Sequence, residues 1–320
     1  MSSIRQAIKS RSKSKDKLLT PLIVKFMNEN ELFNFDDETI RLAMSILKKE
    51  REERRSDLFH PSSSSSCMRK QVLDYMGYPS VRDEDLQLMS IFDDGKWRHL
   101  RWHLLLHRVG ISEGIEKFVS SSSLKRVGGT PDQILNLSKH YPWSSGLRIG
   151  FEMKGTHTDR YNSIIRTNRP IFDHLYQVIT YMVLEDLDLY VIIYENKNDQ
   201  NFYEFDILSN KIYNDKIDNA LLIPKLWKKY IIARYTYMNR CVEKMLLPAC
   251  ECVVRKGDVK FSRCSQKANC LKVIKTKEIG TAVSFPNQRG IEEKLYKSSA
   301  ATNFERNATF TQRYGANSKT

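Results

Sequence analysis

Asp132 stands directly after Gly128-Gly129-Thr130-Pro131, and Glu152-Met153-Lys154 follows 20 residues later. On a strand, residues i and i+2 project from one face. Glu152 and Lys154 are therefore expected side by side, with Met153 turned into the core. If the segments flanking Trp143-Ser144-Ser145-Gly146 pair, Asp132 comes alongside Glu152. Two carboxylates at close range repel unless a cation sits between them. Mg²⁺ suits such oxygen ligands and keeps positions for phosphate and water. A lysine beside it can orient the attacking water and offset phosphate charge. Taken singly, each motif has an ordinary explanation: alternating charge on a wet strand, or a turn aspartate after Thr-Pro.

Apolar residues recur at helical spacing between Leu18 and about Arg55, and again from Cys67 to Met76, where five serines at 62–66 offer a cap and Gly77 a stop. A further helix is expected from Leu86 to His107, ending at Gly110. The period then changes. Strands are expected over 116–122, over 124–137 with the Gly-Gly-Thr-Pro turn inside, and over 147–154. A helix over 171–184 precedes strands at 187–195 and 202–208, joined by a hairpin turn at Asn196-Lys197-Asn198-Asp199. Two helices broken at Pro224 are expected over 212–245. This order predicts an α/β fold, a mixed sheet core flanked by helices. The division expected is a basic arm and helical region (1–60), a core with cysteine-bearing ends (61–283) and a polar, disordered tail (284–320).

The chain has 320 residues, 41% of them hydrophobic, and a net charge of +14. Global disorder is excluded. A chain this basic is expected to meet a polyanion, nucleic acid being the commonest. No apolar run approaches the ~18 residues of a membrane span, and the first residues have no secretory apolar segment. A cytoplasmic location is expected, and with it reduced thiols or metal ligands in place of disulfides.

Gly129-x2-Asp132 followed by Glu152-x-Lys154 resembles the PD-(D/E)xK nuclease superfamily. Two further motifs resemble its RecB-like exonuclease branch: Gly95 with His99 on the helix before the core, and Gln177-x3-Tyr181 on the helix after it. The resemblance covers residues 62–270 and implies a restriction-endonuclease-like core. It implies that His99, Asp132, Glu152 and the Met153 carbonyl bind Mg²⁺ or Mn²⁺, that Lys154 positions the water, and that Gln177 and Tyr181, sharing a helix face, line the catalytic site. His103 and His107 extend the same helical stripe and are expected to be partner-bonded or solvated.

Several members of the branch hold a 4Fe–4S cluster with one upstream and three downstream cysteines. The resemblance extends this to Cys67, Cys264 and Cys270, with Cys252 or Cys250 as the remaining ligand. Zinc is the alternative occupant, and buried free thiols the plain one. Arg160, Arg166 and Arg169, in the loop expected after the catalytic strand, and Lys228 and Lys229, in an aromatic-rich helix, are candidate DNA contacts. The alternative for that helix is aromatics packed on the sheet with lysines left wet. The implied function is a metal-dependent DNA exonuclease with little sequence preference, acting in recombination, repair or phage DNA processing, in the host cytoplasm if phage-encoded. A recombination or single-strand-annealing protein is the partner such an enzyme would have. Its competitors are a structure-selective endonuclease or nickase and a catalytically idle DNA-binding scaffold. Nothing in the sequence marks an oligomer interface.

Overall fold

The structure is a computed structural model, described here for residues 17–31, 35–49, 57–81, 86–209, 211–213, 215–217, 219–223, 225–248 and 264–276. The expected basic arm, the polar tail, Cys250 and Cys252 lie outside these residues. Eight strands are described: β1 (Ser112–Ile115), β2 (Val119–Ser120), β3 (Gly128–Gly129), β4 (Gln133–Leu135), β5 (Ile149–Thr156), β6 (Leu189–Asn196), β7 (Phe202–Leu208) and β8 (Leu221–Leu222). Six form one sheet in the order β1-β4-β5-β6-β7-β8, and β2 pairs with β3 apart from it. The β5–β6 and β7–β8 pairs are parallel; the others are antiparallel. This is the expected mixed sheet flanked by helices.

Register decides what each face carries. Gly150, Glu152 and Lys154 of β5 lie opposite Tyr190, Ile192 and Tyr194 of β6. Helices α3 (Met68–Tyr75), α5 (Thr158–Thr167), α6 (Phe172–Leu184) and α7 (Lys225–Glu243) cover this face, burying Val72, Tyr161, Ile164, Tyr176, Trp227 and Tyr235 against it. The alternate residues Ile149, Phe151 and Met153 face the other way. There α1 (Thr20–Glu29) and α4 (Leu86–Arg108) supply Ile23, Trp102 and Leu106. Helix α2 (Asp37–Lys49) packs outside α4 through Ile46, Leu100 and Leu104. None of the described helices is long and apolar enough to cross a membrane.

Two buried acids fasten helices to the sheet. Glu204 of β7 accepts hydrogen bonds from the Leu19 and Thr20 N–H groups (2.8 and 2.7 Å) and the Thr20 hydroxyl (2.6 Å), satisfying the orphan donors at the start of α1. Glu195, in β6, receives Arg98, Arg101 and the Trp102 indole N–H, all from α4. The last described helix, α8 (Lys267–Thr276), is brought back to α3: Gln266 donates to Asp74 (2.8 Å) and to the Tyr78 carbonyl (3.0 Å).

Several expectations need correction. The helical pattern expected at 18–55 is met by α1 and α2, residues 50–55 lying outside the described ones. The strand expected at 116–122 starts earlier, as β1, and breaks at Glu116, which has φ +45°. The strand expected over 124–137 is two short pieces, β3 and β4, belonging to different sheets. The segment carrying Arg160 and Arg166 is helix α5, because Tyr161, Ile164 and Ile165 give it an apolar stripe to bury. The helix expected from Ile212 to Pro224 is instead a single 3-10 turn, Lys211–Tyr213, followed by β8.

Candidate functional site

The site forms where β4 stops short. Its register with β5 ends at Gln133↔Phe151. Pro131 has no N–H to carry the ladder further, so β5 runs on from Glu152 to Thr156 with one edge open. The Met153 N–H, lacking a strand partner there, donates to Asp132 Oδ2 at 2.8 Å. The Met153 carbonyl faces the same open edge, since a strand residue points its N–H and C=O the same way. The Met153 side chain is buried in the core, as expected.

Around this edge the expected side chains converge. His99, from α4, has Nδ1 at 3.2 Å from Asp132 Oδ1. Lys154 Nζ donates to Glu152 Oε1 at 2.6 Å. Gln177 Nε2, from α6, donates to the same oxygen at 2.7 Å. Tyr181, one turn further along α6, gives its hydroxyl to the Thr130 carbonyl at 2.9 Å, holding the turn before Asp132. That turn can pass so close only because residue 129 is glycine: a Cβ there would lie 2.8 Å from Pro61 and 3.0 Å from the Tyr181 hydroxyl. Gln177 and Tyr181 do share a face, but one supports a carboxylate and the other the backbone.

The charges interlock. Burial would lower the His99 pKa, but the Asp132 charge and hydrogen bond lift it to about 9. Burial would raise Asp132, yet His99, then Lys154 and His103, hold it down to about 2. Glu152 is raised, by burial and by the neighbouring Asp132 charge. Burial works against the Lys154 ammonium, but Glu152 and Asp132 more than offset it and raise the pKa. Tyr190 lies near enough for burial and the Glu152 charge to push its phenol well up; its hydroxyl meets the Phe151 carbonyl at 3.3 Å.

Among the described residues no group of three or more His, Cys, Asp and Glu side chains is arranged to hold a metal ion. The geometry shows why: His99 is closed onto Asp132, and Lys154 and Gln177 onto Glu152 Oε1. The other oxygen, Glu152 Oε2, is buried and makes no well-formed hydrogen bond among the described residues, the Tyr190 hydroxyl lying near the carboxylate. An orphaned carboxylate oxygen beside a second buried carboxylate fits a divalent cation, which would satisfy both.

The remaining expected residues fall into three places. Arg160 is exposed on the first turn of α5, and its charge acts on His174 and Tyr194, beside Lys154. Arg166 is exposed at the far end of α5, and Arg169 follows it, half-buried. Lys228 reaches the Leu187 carbonyl at 3.4 Å and Asp188 at 4.0 Å, before the first residue of β6. Lys154 is opposite Tyr194, at least five strand steps away, or about 17 Å. Lys228 is therefore not part of the acidic site. In α7 the aromatics Trp227, Tyr230 and Tyr235 are buried, and Lys229 is exposed, which is the amphipathic alternative. Arg234 of the same helix is fully buried and donates to the Ser66 carbonyl. His103 pairs with Glu116 at 3.1 Å and His107 with Glu38 at 3.6 Å, as expected of partner-bonded histidines.

Cys67 lies at the start of α3, and the docking of α8 brings Cys264 and Cys270 near it. Burial raises the Cys264 thiol, and Cys67 and Cys270 are close enough to raise it further. Arg69 donates toward Cys270 Sγ at 3.8 Å. Cys241 is buried in α7. Sequence reasoning missed Glu195 and its α4 partners; the only signal was a carboxylate at the end of an otherwise apolar strand.

No protein-family model matches the chain, and neither does any curated protein. Among solved structures, the chain is similar to LHK-Exo in complex with dAMP (12% identity, 59% of this chain and 92% of that chain, TM-score 0.39). It is also similar to SSO0001 (11% identity, 73% and 96%, TM-score 0.39) and to an alkaline exonuclease, LHK-Exo from Laribacter hongkongensis (12% identity, 60% and 96%, TM-score 0.36).

Proposed function

We propose that the chain is a metal-dependent deoxyribonuclease acting on DNA ends. The observation that carries this reading is the convergence of His99, Asp132, Glu152 and Lys154 at the open edge of β5, with one buried carboxylate oxygen left unsatisfied. A bound Mg²⁺ or Mn²⁺ would supply Lewis-acid stabilisation of charge on the scissile phosphate and the departing oxygen. His99, Asp132, Glu152 and the Met153 carbonyl would hold it. The Lys154 ammonium, freed from Glu152 Oε1, would donate to the phosphate or orient the attacking water. Gln177 keeps Glu152 in its rotamer. Arg160 gives the nucleic-acid backbone a cation beside the site.

Asp132→Ala and Lys154→Ala are expected to cut Mg²⁺-dependent hydrolysis of linear DNA by roughly 100-fold or more while DNA binding persists. Digestion by both variants at the wild-type rate would refute the site. Cutting of closed circular DNA would replace the exonuclease reading with an endonuclease or nickase.

The docking of α8, which returns Cys264 toward Cys67 at the start of α3, supports a second proposal, a structural 4Fe–4S cluster on Cys67, Cys264, Cys270 and Cys252, with zinc as the other candidate; the described thiols are not gathered as a ligand set in this structure. Freshly purified protein should be brown and absorb near ~400 nm. Colourless, iron-free protein purified without oxygen would remove the cluster.

A further inference from the structure

His174 lies one turn before Gln177 on α6 and faces β6. Its ring stacks on Tyr194, with centroids 5.6 Å apart and planes at 27°. Tyr194 is the register partner of Lys154. His174 is thus held over the strand position next to the Lys154 ammonium, and nothing in the mechanism above uses it.

The hydrogen bonds around Tyr194 assign its proton. The Tyr194 hydroxyl accepts the Ile171 N–H at 2.9 Å and lies 3.0 Å from His174 Nδ1; a phenol is a stronger proton donor than a neutral imidazole N–H, so the hydroxyl donates to Nδ1. Burial raises the Tyr194 pKa, so that hydrogen stays on the phenol. A neutral imidazole whose Nδ1 accepts carries its hydrogen on Nε2. Burial, and then the charges of Lys154 and Arg160, lower the His174 pKa to about 3. The ring is therefore a neutral donor at neutral pH, and neither an acid nor a base. His174 is half-buried, and its Nε2 has no hydrogen-bond partner among the described residues. Two cations from β5 and α5 thus act on one locus, where a fixed N–H is unspent. An imidazolium there would add repulsion; a neutral N–H adds a hydrogen bond and no charge.

We propose that His174 Nε2–H, together with Arg160, binds a non-bridging oxygen of a DNA phosphodiester beside Lys154, with Tyr194 and Ile171 fixing the donor. This rests on the nuclease reading above. It makes His174 a substrate contact and Tyr194 a positioning residue.

The test is a binding cycle in EDTA, so that no hydrolysis is needed. Fluorescein-labelled DNA, single-stranded and as a duplex, carries one methylphosphonate at each linkage in turn. That group removes the charged oxygen and leaves the rest of the linkage in place. For the wild type, one linkage should weaken binding by roughly 10-fold or more, as expected for a hydrogen bond to a charged group. In His174→Phe, which keeps a ring to stack on Tyr194, native DNA should lose a part of that factor, the Arg160 contact to the same oxygen keeping the rest. The same linkage should then cost the variant several-fold less than it costs the wild type, while every other linkage costs both proteins alike. His174→Gln, which retains a side-chain N–H, should restore part of the difference. Tyr194→Phe should show a smaller loss at the same linkage, and it serves if His174→Phe does not fold.

Equal sensitivity to every linkage in wild type and variants overturns the assignment, even if the wild type digests DNA. Conversely, a linkage-specific effect in a protein that hydrolyses no DNA with Mg²⁺ or Mn²⁺ supports the phosphate contact and refutes the nuclease reading.

Discussion

In the metal-free protein the His99–Asp132 ion pair should make stability depend on pH in one predictable window. His99 is raised from 6.5 to about 9. A group whose folded pKa is raised contributes its full stabilisation below the unfolded value and loses it as pH climbs through the folded one. The contribution is thus complete at pH 6 and gone by about pH 10. At about 1.4 kcal/mol per pH unit the full shift would be worth about 3 kcal/mol. The imidazole keeps 29% of its surface exposed, and solvent screening reduces the figure to about 1–2 kcal/mol. The perturbation is His99→Gln, which retains a polar side chain but cannot titrate. Urea unfolding of EDTA-treated protein at pH 6 and pH 9.5 reads the effect. Wild type should lose about 1–2 kcal/mol relative to the variant between the two conditions. The difference cancels every other group that titrates in both proteins. Parallel pH profiles would mean that His99 and Asp132 do not pair as described.

Gly150→Ala should destabilise the protein by about 2 kcal/mol or more, because a Cβ there would lie 2.1 Å from the Tyr190 ring. Adding Tyr190→Ala should return part of the Gly150→Ala loss, read by urea unfolding. Glu204→Ala should cost about 3 kcal/mol, since it strands two buried N–H groups and a hydroxyl. Hydrogen exchange should then quicken first in α1.

Much of the site was legible in the sequence because its spacing obeys simple periods. The two-residue period of β5 puts Glu152 and Lys154 together, and the four-residue spacing of α6 aligns Gln177 with Tyr181. The hairpin of β6 and β7 announced itself by apolar runs around an Asn-rich turn. What was not legible depends on long-range packing. Helix α5 begins after His157 without a side-chain cap, and its polar, β-branched residues read as a loop until Tyr161 and Ile164 find the sheet. Strand β1 contains Gly114 and a register irregularity, so no alternation marks it. Glu195 and Glu204 look like charges on wet strands; only the tertiary fold shows that one collects three donors of α4 and the other caps α1. The histidine stripe on α4 did not name Glu116 and Glu38 as the partners of His103 and His107, because both carboxylates arrive from other segments.

The brevity of β4 has a consequence for how such a cleft is made and lost. Sheets tend to zip, and a neighbour only two residues longer would clothe the Met153 amide with backbone, evicting the Asp132 carboxylate from the seat it occupies. Pro131 is the stitch that prevents this. The cleft is a seam left unsewn, so an alteration that improved the sheet as a sheet would close the edge on which His99, Asp132 and Lys154 converge.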